Sequence, residues 1–337
     1  MNNIARQTPR NREYLFLNTS KQMGIPEAII EKDFWVCWIL DYLFHRSQWK
    51  EDLAFKGGTS LSKSYDLIHR FSEDVDLILN CRVLGYSVKD SETFPSRTKQ
   101  DFFNKKAVFE TQAFLKEHFV PAIKKEILSE LKGSAAFSID ENDPNTVIFT
   151  YPKSFSDSSI LPWIRLEVGT LAAWTPSEKK MITPYAAKYY PESFQSNQYT
   201  EILTVSPERT FWEKITILHQ EAHRPENKIF PRRYSRHYYD IYCMLKTDVK
   251  GDALNNPELL RKVVSFKDRY YPCGWANYKD AKVGTIKLMP SDHNFKKLEE
   301  DYKNMQSMIF GDKPSFTEIM DSIKNFENEL NNSESAV

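Results

Sequence analysis

The stretch Lys56-Gly57-Gly58-Thr59-Ser60, with Phe71-Ser72-Glu73-Asp74-Val75-Asp76-Leu77 after it, decides the fold of this chain. A short apolar run, Leu53-Ala54-Phe55, precedes the glycine pair and predicts a strand. The glycine pair predicts a turn into a helix, and the pair Asp74 and Asp76 leads into a second strand that residues 75–79 predict. This order of elements brings together groups that can hold a triphosphate and its metal ions, so it points to nucleotidyl transfer.

The glycine pair is informative because the chain has only 10 glycines among 337 residues. Glycine permits a positive φ and lets a ligand approach the backbone closely. The unpaired N–H groups and the dipole at a helix N-terminus favour an anion such as phosphate. We therefore predict a helix that runs to about residue 69 and begins with phosphate-binding residues, namely Gly57, Gly58, Thr59 and Ser60. An ordinary strand–turn–helix junction is the alternative interpretation of the glycine pair alone.

Asp74 and Asp76 lie on one face of the predicted strand, because residues i and i+2 of a strand share a face. Two carboxylates on one face repel each other unless a cation lies between them. Mg²⁺ typically binds one or two carboxylates together with substrate phosphates. We therefore predict Asp74 and Asp76 as ligands of Mg²⁺ or Mn²⁺. Acidic pairs with this spacing also arise by chance, so the prediction depends on the elements around them.

Glu167 is the candidate for the third carboxylate that a two-metal site needs. Residues 160–169 predict a strand in which apolar side chains alternate with Arg165 and Glu167. We predict that Glu167 is a metal ligand. The proton that the attacking hydroxyl loses would go either to Glu167 or to solvent. The alternative is a strand glutamate that is solvated or paired with arginine.

Two helices predicted in the C-terminal part carry the remaining candidates. Ser206-Pro207-Glu208 predicts a helix start, with a serine N-cap, an early proline and an acid in the first turn. On this helix Lys214 lies near the edge of the apolar face, where its charge can reach a cleft; the alternative is a plain surface lysine. Arg236 and Asp240 lie four apart on the next helix. They form either a helix salt bridge of about 0.3–0.5 kcal/mol or a pair that orients Lys214 and the phosphates, and for Asp240 we favour the second.

Taken together, these motifs resemble the AbiEii/AbiGii toxin family of nucleotidyltransferases, and the resemblance spans nearly the whole chain in the right order. The segments that carry it are Glu31-Lys32-Asp33-Phe34-Trp35-Val36, Gly57-Gly58-Thr59-Ser60-Leu61-Ser62-Lys63, Arg70-Phe71-Ser72-Glu73-Asp74-Val75-Asp76-Leu77, Phe211-Trp212-Glu213-Lys214-Ile215, Arg236-His237-Tyr238-Tyr239-Asp240-Ile241-Tyr242, residues 278–285 and residues 309–311.

The resemblance implies a fold like that of the DNA polymerase β nucleotidyltransferase superfamily. It also implies a toxin of a bacterial toxin–antitoxin or phage abortive-infection pair, with a cognate antitoxin encoded nearby. The implied substrate is a nucleoside triphosphate and the implied cofactor is Mg²⁺ or Mn²⁺. The roles that it implies are phosphate binding by Gly57, Gly58 and Ser60, metal binding by Asp74 and Asp76, triphosphate contact by Lys214, and support of that contact by Asp240; Thr59 and Arg236 join the nucleotide-binding set.

The expected reaction is in-line attack of an acceptor hydroxyl on the α-phosphate, with pyrophosphate as the leaving group. Some members of the family are described as transferring nucleotides to the 3′ end of tRNA, which blocks translation, so tRNA is the expected acceptor. The alternatives are nucleotide transfer to a protein or small molecule, and a non-catalytic protein that binds nucleotide or RNA.

The charge of the chain is balanced overall and concentrated locally. Because the chain has 46 basic and 46 acidic residues, its net charge is zero, and we do not expect the whole protein to bind polyanions broadly. Residues 224–236, however, contain five basic residues and one acid, beside Tyr234, Tyr238 and Tyr239. Basic side chains can contact phosphates while aromatic rings stack on bases, so we expect this segment to touch RNA. The alternative is a solvated loop whose aromatics lie in the core.

Composition and pattern indicate a globular α+β protein. The longest strongly apolar stretch, residues 34–40, is too short to span a bilayer, and the N-terminus has no signal-peptide core. We therefore expect a cytoplasmic protein without membrane contact. The expected architecture is bilobed: a nucleotidyltransferase lobe with N-terminal helices and a mixed sheet over residues 1–200, and a mainly helical lobe over residues 201–337 that completes the nucleotide site.

Overall fold

A computed structural model of the chain describes residues 1–87, 96–157, 160–195 and 197–332. The chain separates into two compact units. The first comprises Met1–Tyr65 and Ser72–Val205, and the second comprises Asp66–Phe71 and the chain from Ser206 onward. The second unit thus includes one segment, Asp66–Phe71, that a division at residue 200 assigns to the N-terminal lobe.

The first unit combines helices with a single sheet. Its α-helices are α1 (Asn2–Ala5), α2 (Pro9–Met23), α3 (Glu27–His45), α4 (Gly57–Lys63), α5 (Arg97–Phe114), α6 (Val120–Glu130) and α7 (Tyr185–Tyr189). Its strands are β1 (Leu53–Lys56), β2 (Asp74–Leu79), β3 (Ala136–Ile139), β4 (Thr146–Thr150), β5 (Ile164–Gly169), β6 (Ser177–Ile182) and β7 (Thr200–Val205). A π-helical turn, Leu115–Phe119, joins α5 to α6, and short 3₁₀ turns cover Cys81–Leu84 and Pro191–Phe194.

The seven strands form one sheet in the order β3-β4-β5-β2-β1-β7-β6. The pairs β2–β5 and β1–β7 are parallel, and the other neighbours are antiparallel. The sheet is therefore mixed, and the predicted α+β class is confirmed. The two strands on which the sequence placed carboxylates, β2 and β5, are direct neighbours in the middle of this sheet.

One face of the sheet is apolar and packs against α3. Val75 of β2 is in register with Leu166 of β5, and Phe149 of β4 is in register with Ile164 of β5, so these side chains share a face. The Phe149 ring lies 6.1 Å from the Trp38 ring of α3, centroid to centroid. Burying these aromatics fixes α3 on the apolar face, and the alternate residues of β2 and β5 are therefore left on the opposite face.

Helix α4 is shorter than predicted, because it ends at Lys63 and not near residue 69. Asp66 takes a left-handed conformation with φ of +54°, which interrupts a helix. The chain that follows is held by backbone bonds in the second unit: the N–H of Phe71 donates to Met308 at 2.8 Å, and that of Phe310 donates to His69 at 2.7 Å. These tertiary bonds replace the helical bonds that the local pattern favours.

The second unit is helical, in agreement with the prediction for the C-terminal part. Its α-helices are α8 (Pro207–Ala222), α9 (Ser235–Leu245), α10 (Val249–Leu254), α11 (Pro257–Tyr270), α12 (Asp292–Met305) and α13 (Phe316–Asn332). Helix α8 begins as predicted, because the Ser206 hydroxyl accepts a hydrogen bond from the Arg209 N–H at 3.4 Å. Phe211 of α8 packs edge-on against Phe326 of α13, with ring centroids 5.6 Å apart.

Among the helices in the part of the chain that the structure describes, none is both long enough and apolar enough to cross a bilayer.

Candidate active site

Three acidic side chains and one arginine project from the polar face of the central strands. Asp74 and Asp76 of β2 are in register with Arg165 and Glu167 of β5, respectively. Because directly opposed residues of paired strands share a face, Asp76 and Glu167 are immediate neighbours. The predicted common face of the two aspartates is therefore confirmed, and the third predicted carboxylate lies beside them.

The electrostatics of Glu167 show how crowded these carboxylates are. Burial raises its pKa, the negative charges of Asp76 and Asp74 raise it further, and Arg165 opposes them; the result is a pKa of about 7. A carboxyl group whose ionised form is disfavoured by two like charges fits a place where a cation is to be bound.

Arg165 supplies positive charge beside these carboxylates. Its Nε lies 3.4 Å from Asp74 Oδ1 and 3.5 Å from Glu167 Oε1, and its Nη1 donates to Asp140. The arginine-paired alternative for Glu167 is thus present in the geometry. Within the described residues, no group of three His, Cys, Asp or Glu side chains is arranged as a metal site. The donors nevertheless fit Mg²⁺ or Mn²⁺ chemically, because carboxylate oxygens are hard ligands whose repulsion a divalent cation relieves.

Gly57 allows Asp76 to lie directly against the glycine turn. Its φ is +80°, and a Cβ at this position would fall 1.9 Å from Asp76 Oδ2. Both the backbone conformation and the close approach therefore require glycine. Lys56, the residue before the turn, is in register with Asp76 across the β1–β2 pair. The turn and the carboxylates thus form one local arrangement.

The hydroxyl groups of Thr59 and Ser60 hold this turn in place. The Thr59 hydroxyl donates to the carbonyl of Asp74, which ties α4 to β2. The Ser60 hydroxyl donates to the Gly57 carbonyl at 2.8 Å, and Ser60 is fully buried. Phosphate contact by Gly57, Gly58, Thr59 and Ser60 remains a prediction, and the hydroxyl protons of Thr59 and Ser60 are engaged inside the protein.

Three consecutive charged residues of α3 anchor segments of the first unit, a role that the sequence pattern alone did not indicate. Lys32 forms a buried salt bridge of 3.0 Å with Glu73, the residue before Asp74. Asp33 binds Lys63 at 2.5 Å, which secures the C-terminal end of α4. Glu31 accepts the N–H groups of Ser154 and Phe155 at 2.8 and 2.9 Å. A charged run inside an otherwise apolar helix was the signal that could have revealed them, since buried charges need partners.

A second cluster, in the helical unit, is centred on Asp240 of α9. Lys214 Nζ of α8 lies 2.8 Å from Asp240 Oδ2. Arg70 donates to the same carboxylate from Nε to Oδ1 at 2.7 Å and from Nη2 to Oδ2 at 2.8 Å. The side chains of Arg70, Asp240 and Lys214 are at most 7% exposed. The surface-lysine alternative for Lys214 is therefore wrong, and Arg70 is a further cluster member that was not predicted individually from the sequence.

Charges within this cluster shift the pKa values of its members. Burial alone would raise the pKa of Asp240, but Arg70 and Lys214 hold it well below the usual value. Burial lowers the pKa of Lys214, against the pull of Asp240, and the charges of Arg70 and Arg236 lower it further. Arg236, which is partly exposed, therefore adds positive charge near Lys214. The cluster carries more positive than negative charge, as an anion site requires.

The basic segment 224–236 differs from its predicted form. Tyr238 and Tyr239 are buried at 1% and 2% exposure, so they are core residues of α9 and cannot stack on RNA bases. Arg224 is bound by Glu221 through two contacts of 2.5 and 2.8 Å. The exposed basic side chains of this segment are those of Lys228, Arg232 and Arg233, next to the half-buried Tyr234.

Most of the chain matches one family of known proteins. The family described as nucleotidyl transferase AbiEii toxin, type IV TA system, matches residues 38–328. Two solved structures resemble the chain at low identity. The MenT4 nucleotidyltransferase toxin of Mycobacterium tuberculosis H37Rv is 13% identical, with a TM-score of 0.44, over 96% of this chain and 98% of that one. JHP933 from Helicobacter pylori is 12% identical, with a TM-score of 0.38, over 93% and 97%.

A comparison with curated proteins gave no significant match. The family match nevertheless covers most of the sequence, including both groups of site residues. The chain therefore belongs to the AbiEii family of nucleotidyltransferase toxins of type IV toxin–antitoxin systems.

Proposed function

We propose that this protein transfers a nucleoside monophosphate from a nucleoside triphosphate to an RNA acceptor, the 3′ end of tRNA, and thereby blocks translation. The observation that carries the proposal is the group of three carboxylates, Asp74, Asp76 and Glu167, on one sheet face beside the Gly57 turn. Like charges placed side by side repel each other even beside Arg165, and a bound cation would relieve that repulsion. Membership of the family supplies the class of reaction.

Asp74, Asp76 and Glu167 would hold Mg²⁺ or Mn²⁺. A bound divalent cation would supply neutralisation of the phosphate charge during transfer. The residues of the chain perform the positioning. Gly57 and Gly58 let the triphosphate approach the backbone, while Thr59 and Ser60 keep the turn in shape.

Lys214 would bind the triphosphate, with Asp240 orienting it and Arg236 adding positive charge. This role is supported by the donor count of the lysine. An ammonium group has three N–H donors, and Asp240 is the partner that the described residues give it. Because Arg70 and Lys214 together outweigh the single charge of Asp240, an incoming anion would relieve a buried excess of positive charge.

The acceptor RNA would contact the exposed basic side chains of Lys228, Arg232 and Arg233, with Tyr234 as the one partly accessible tyrosine of this segment. Phosphate contacts of this kind position an RNA without reading its sequence. A cognate antitoxin would limit the activity in the cell, and a tRNA acceptor would locate that activity in the cytoplasm.

The test is direct labelling. Purified protein is incubated with total bacterial RNA, Mg²⁺ and each α-³²P-labelled nucleoside triphosphate in turn. We expect label in a tRNA-sized band, with one base preferred, and none with the Asp76→Asn variant or with excess EDTA. Label in a protein band instead would contradict an RNA acceptor and establish protein nucleotidylation. Absence of label from every band, in a preparation that binds triphosphate, would contradict the proposed transfer.

A further inference from the structure

We infer that Arg70 is a positioning residue for the triphosphate: by occupying Asp240 it keeps the ammonium group of Lys214 available for phosphate. This inference rests on the proposed function, because it concerns how that site presents its phosphate-binding lysine. Arg70 itself would not touch the substrate.

Arg70 donates its hydrogen bonds to groups of the protein. Nε and Nη2 form a fork on the two oxygens of Asp240 at 2.7 and 2.8 Å, and Nη1 donates to the Phe71 carbonyl at 3.3 Å. The side chain of Arg70 is 4% exposed. A planar guanidinium matches a carboxylate in this two-point geometry, whereas an ammonium group cannot. Arg70 thus takes both oxygens of Asp240 at once.

Lys214 contacts only one oxygen of the same carboxylate. Its Nζ contacts Oδ2, the oxygen that Arg70 Nη2 also contacts. Because Asp240 carries one negative charge and faces two cations, it cannot neutralise both. Without Arg70, the two oxygens would turn to Lys214 and form a closed neutral pair. The arginine therefore keeps Asp240 from closing on the lysine, so that the cluster retains a net positive charge and the lysine retains donors for phosphate.

A neighbouring histidine has a buried polar atom that lacks a partner within the described residues. Nδ1 of His237 is buried, and among the described residues it has no hydrogen-bond partner. Burial and the charges of Lys214 and Arg236 lower the pKa of His237 well below its usual value, so the imidazole is neutral. Buried polar atoms are nearly always satisfied. In the tautomer that carries its proton on Nδ1, His237 would donate to an oxygen-rich ligand next to Lys214.

The backbone around Arg70 is fixed independently of its side chain. Arg70 pairs with Ile309 in an isolated antiparallel bridge, and Phe71 donates to the Met308 carbonyl at 2.8 Å. Removing the guanidinium therefore leaves the segment anchored. This permits a test in which the side chain is changed and the local backbone is retained.

The experiment is a double-variant cycle read by calorimetric binding of ATP, CTP, GTP and UTP, each with Mg²⁺. Arg70→Met should lower the affinity for the tightest-binding triphosphate about ten- to hundredfold, which is the range for a charged hydrogen bond. Lys214→Met should weaken it at least as much. Arg70→Met in the Lys214→Met background should cause no further loss, because the arginine acts through the lysine. Adding guanidinium chloride to Arg70→Ala should partly restore triphosphate binding, whereas NaCl at the same concentration should not.

Arg224→Met is the matched control, because Arg224 forms the same kind of fork on a buried carboxylate, Glu221, outside the Asp240 cluster. It should leave triphosphate binding unchanged. If Arg70→Met does not fold, Arg70→Lys decides the question, since it keeps the charge and loses the fork; it should weaken binding and retain folding.

Two failures are distinguishable. If wild type binds no triphosphate, or if Lys214→Met leaves binding unchanged, the proposed role of Lys214 is wrong and the inference falls with it. If Lys214→Met weakens binding while Arg70→Met does not, or if the two losses add, the proposed function stands and the positioning role of Arg70 is overturned.

Discussion

The carboxylate of Asp76 lies where a side chain at Gly57 would be, since a Cβ on residue 57 would fall 1.9 Å from Asp76 Oδ2 and 3.0 Å from Asp76 Cβ. Gly57→Ala should therefore displace the aspartate as well as strain the backbone at φ +80°. We expect nucleotidyl transfer to fall about a hundredfold or more, with a stability loss of about 1–2 kcal/mol. Transfer activity and urea unfolding, measured on the same preparation, check the expected losses of activity and of stability.

Gly85→Ala is the control for backbone strain alone. Gly85 has nearly the same φ, +82°, and a Cβ on this residue would meet nothing within 4 Å. The variant should lose a similar amount of stability and keep its activity. Equal activity losses in the two variants would show that the contact with Asp76 is irrelevant.

The like charges of Asp74, Asp76 and Glu167 should lower the stability of the fold while they support activity. Asp74→Asn, Asp76→Asn and Glu167→Gln each remove one of three like charges, so the free energy of unfolding should stay constant or rise, while transfer falls about 10²–10³-fold. EDTA should abolish the wild-type activity and added Mg²⁺ restore it. Glu201→Gln, on an exposed carboxylate of β7, should change neither quantity. Undiminished transfer by Asp76→Asn would remove this face from the mechanism.

Asp240 should make the protein sensitive to acid. Its folded-state pKa is depressed by Arg70 and Lys214 despite burial, whereas the unfolded pKa is near the ordinary value of about 3.9. The stabilising effect is therefore present above about pH 4 and is lost as the pH falls toward the folded pKa. Asp240→Asn should be about 3–5 kcal/mol less stable than wild type at pH 7.

This difference in stability should shrink as the pH drops below about 4, which urea unfolding at a series of pH values will measure. A difference that stays constant from about pH 7 to about pH 2 would contradict an ionised Asp240 held by its two cations.

The exposed arginines of the basic segment should govern RNA affinity. Arg232→Gln/Arg233→Gln should weaken tRNA binding and flatten its salt dependence by about 0.7 for each RNA phosphate that the variant no longer neutralises. Triphosphate binding should not change. Lys124→Gln/Lys125→Gln removes two exposed charges from α6 and serves as the control. A filter-binding titration at several salt concentrations measures the tRNA affinity and its salt dependence. Equal losses of affinity in the two double variants would indicate an effect of net charge alone.

The buried pair of Lys32 and Glu73 should matter for stability more than any surface pair. Lys32→Met removes the cation from the buried Glu73 carboxylate, which the Leu161 N–H still contacts at 3.0 Å, and we expect a loss of about 3–5 kcal/mol. Lys32→Met/Glu73→Met should recover much of it. Lys179→Met breaks the exposed 2.9 Å contact with Glu201 and should cost less than about 1 kcal/mol. Thermal or urea unfolding ranks the variants.

Much of the carboxylate site was predictable, because it depends on short-range regularities. The alternation of β2 assigns Asp74 and Asp76 to one face, and that of β5 assigns Glu167 to the face opposite its apolar residues. The start of α8 followed from Ser206 and the residues after it. The end of α4 was not predictable, since the helical pattern continues past Lys63 and yields only to tertiary backbone bonds.

By itself, the sequence determined which residue types occur at which spacing: the glycine turn, the Asp-x-Asp strand and the order of motifs that identifies the family. Tertiary structure alone decided the partners of the charged groups. Arg70 and Asp240 are 170 residues apart in the chain, and Lys32 and Glu73 are 41 apart. The physical reason is that a buried charge must find an opposite charge or donor wherever the fold supplies one, and local periodicity does not encode that distance.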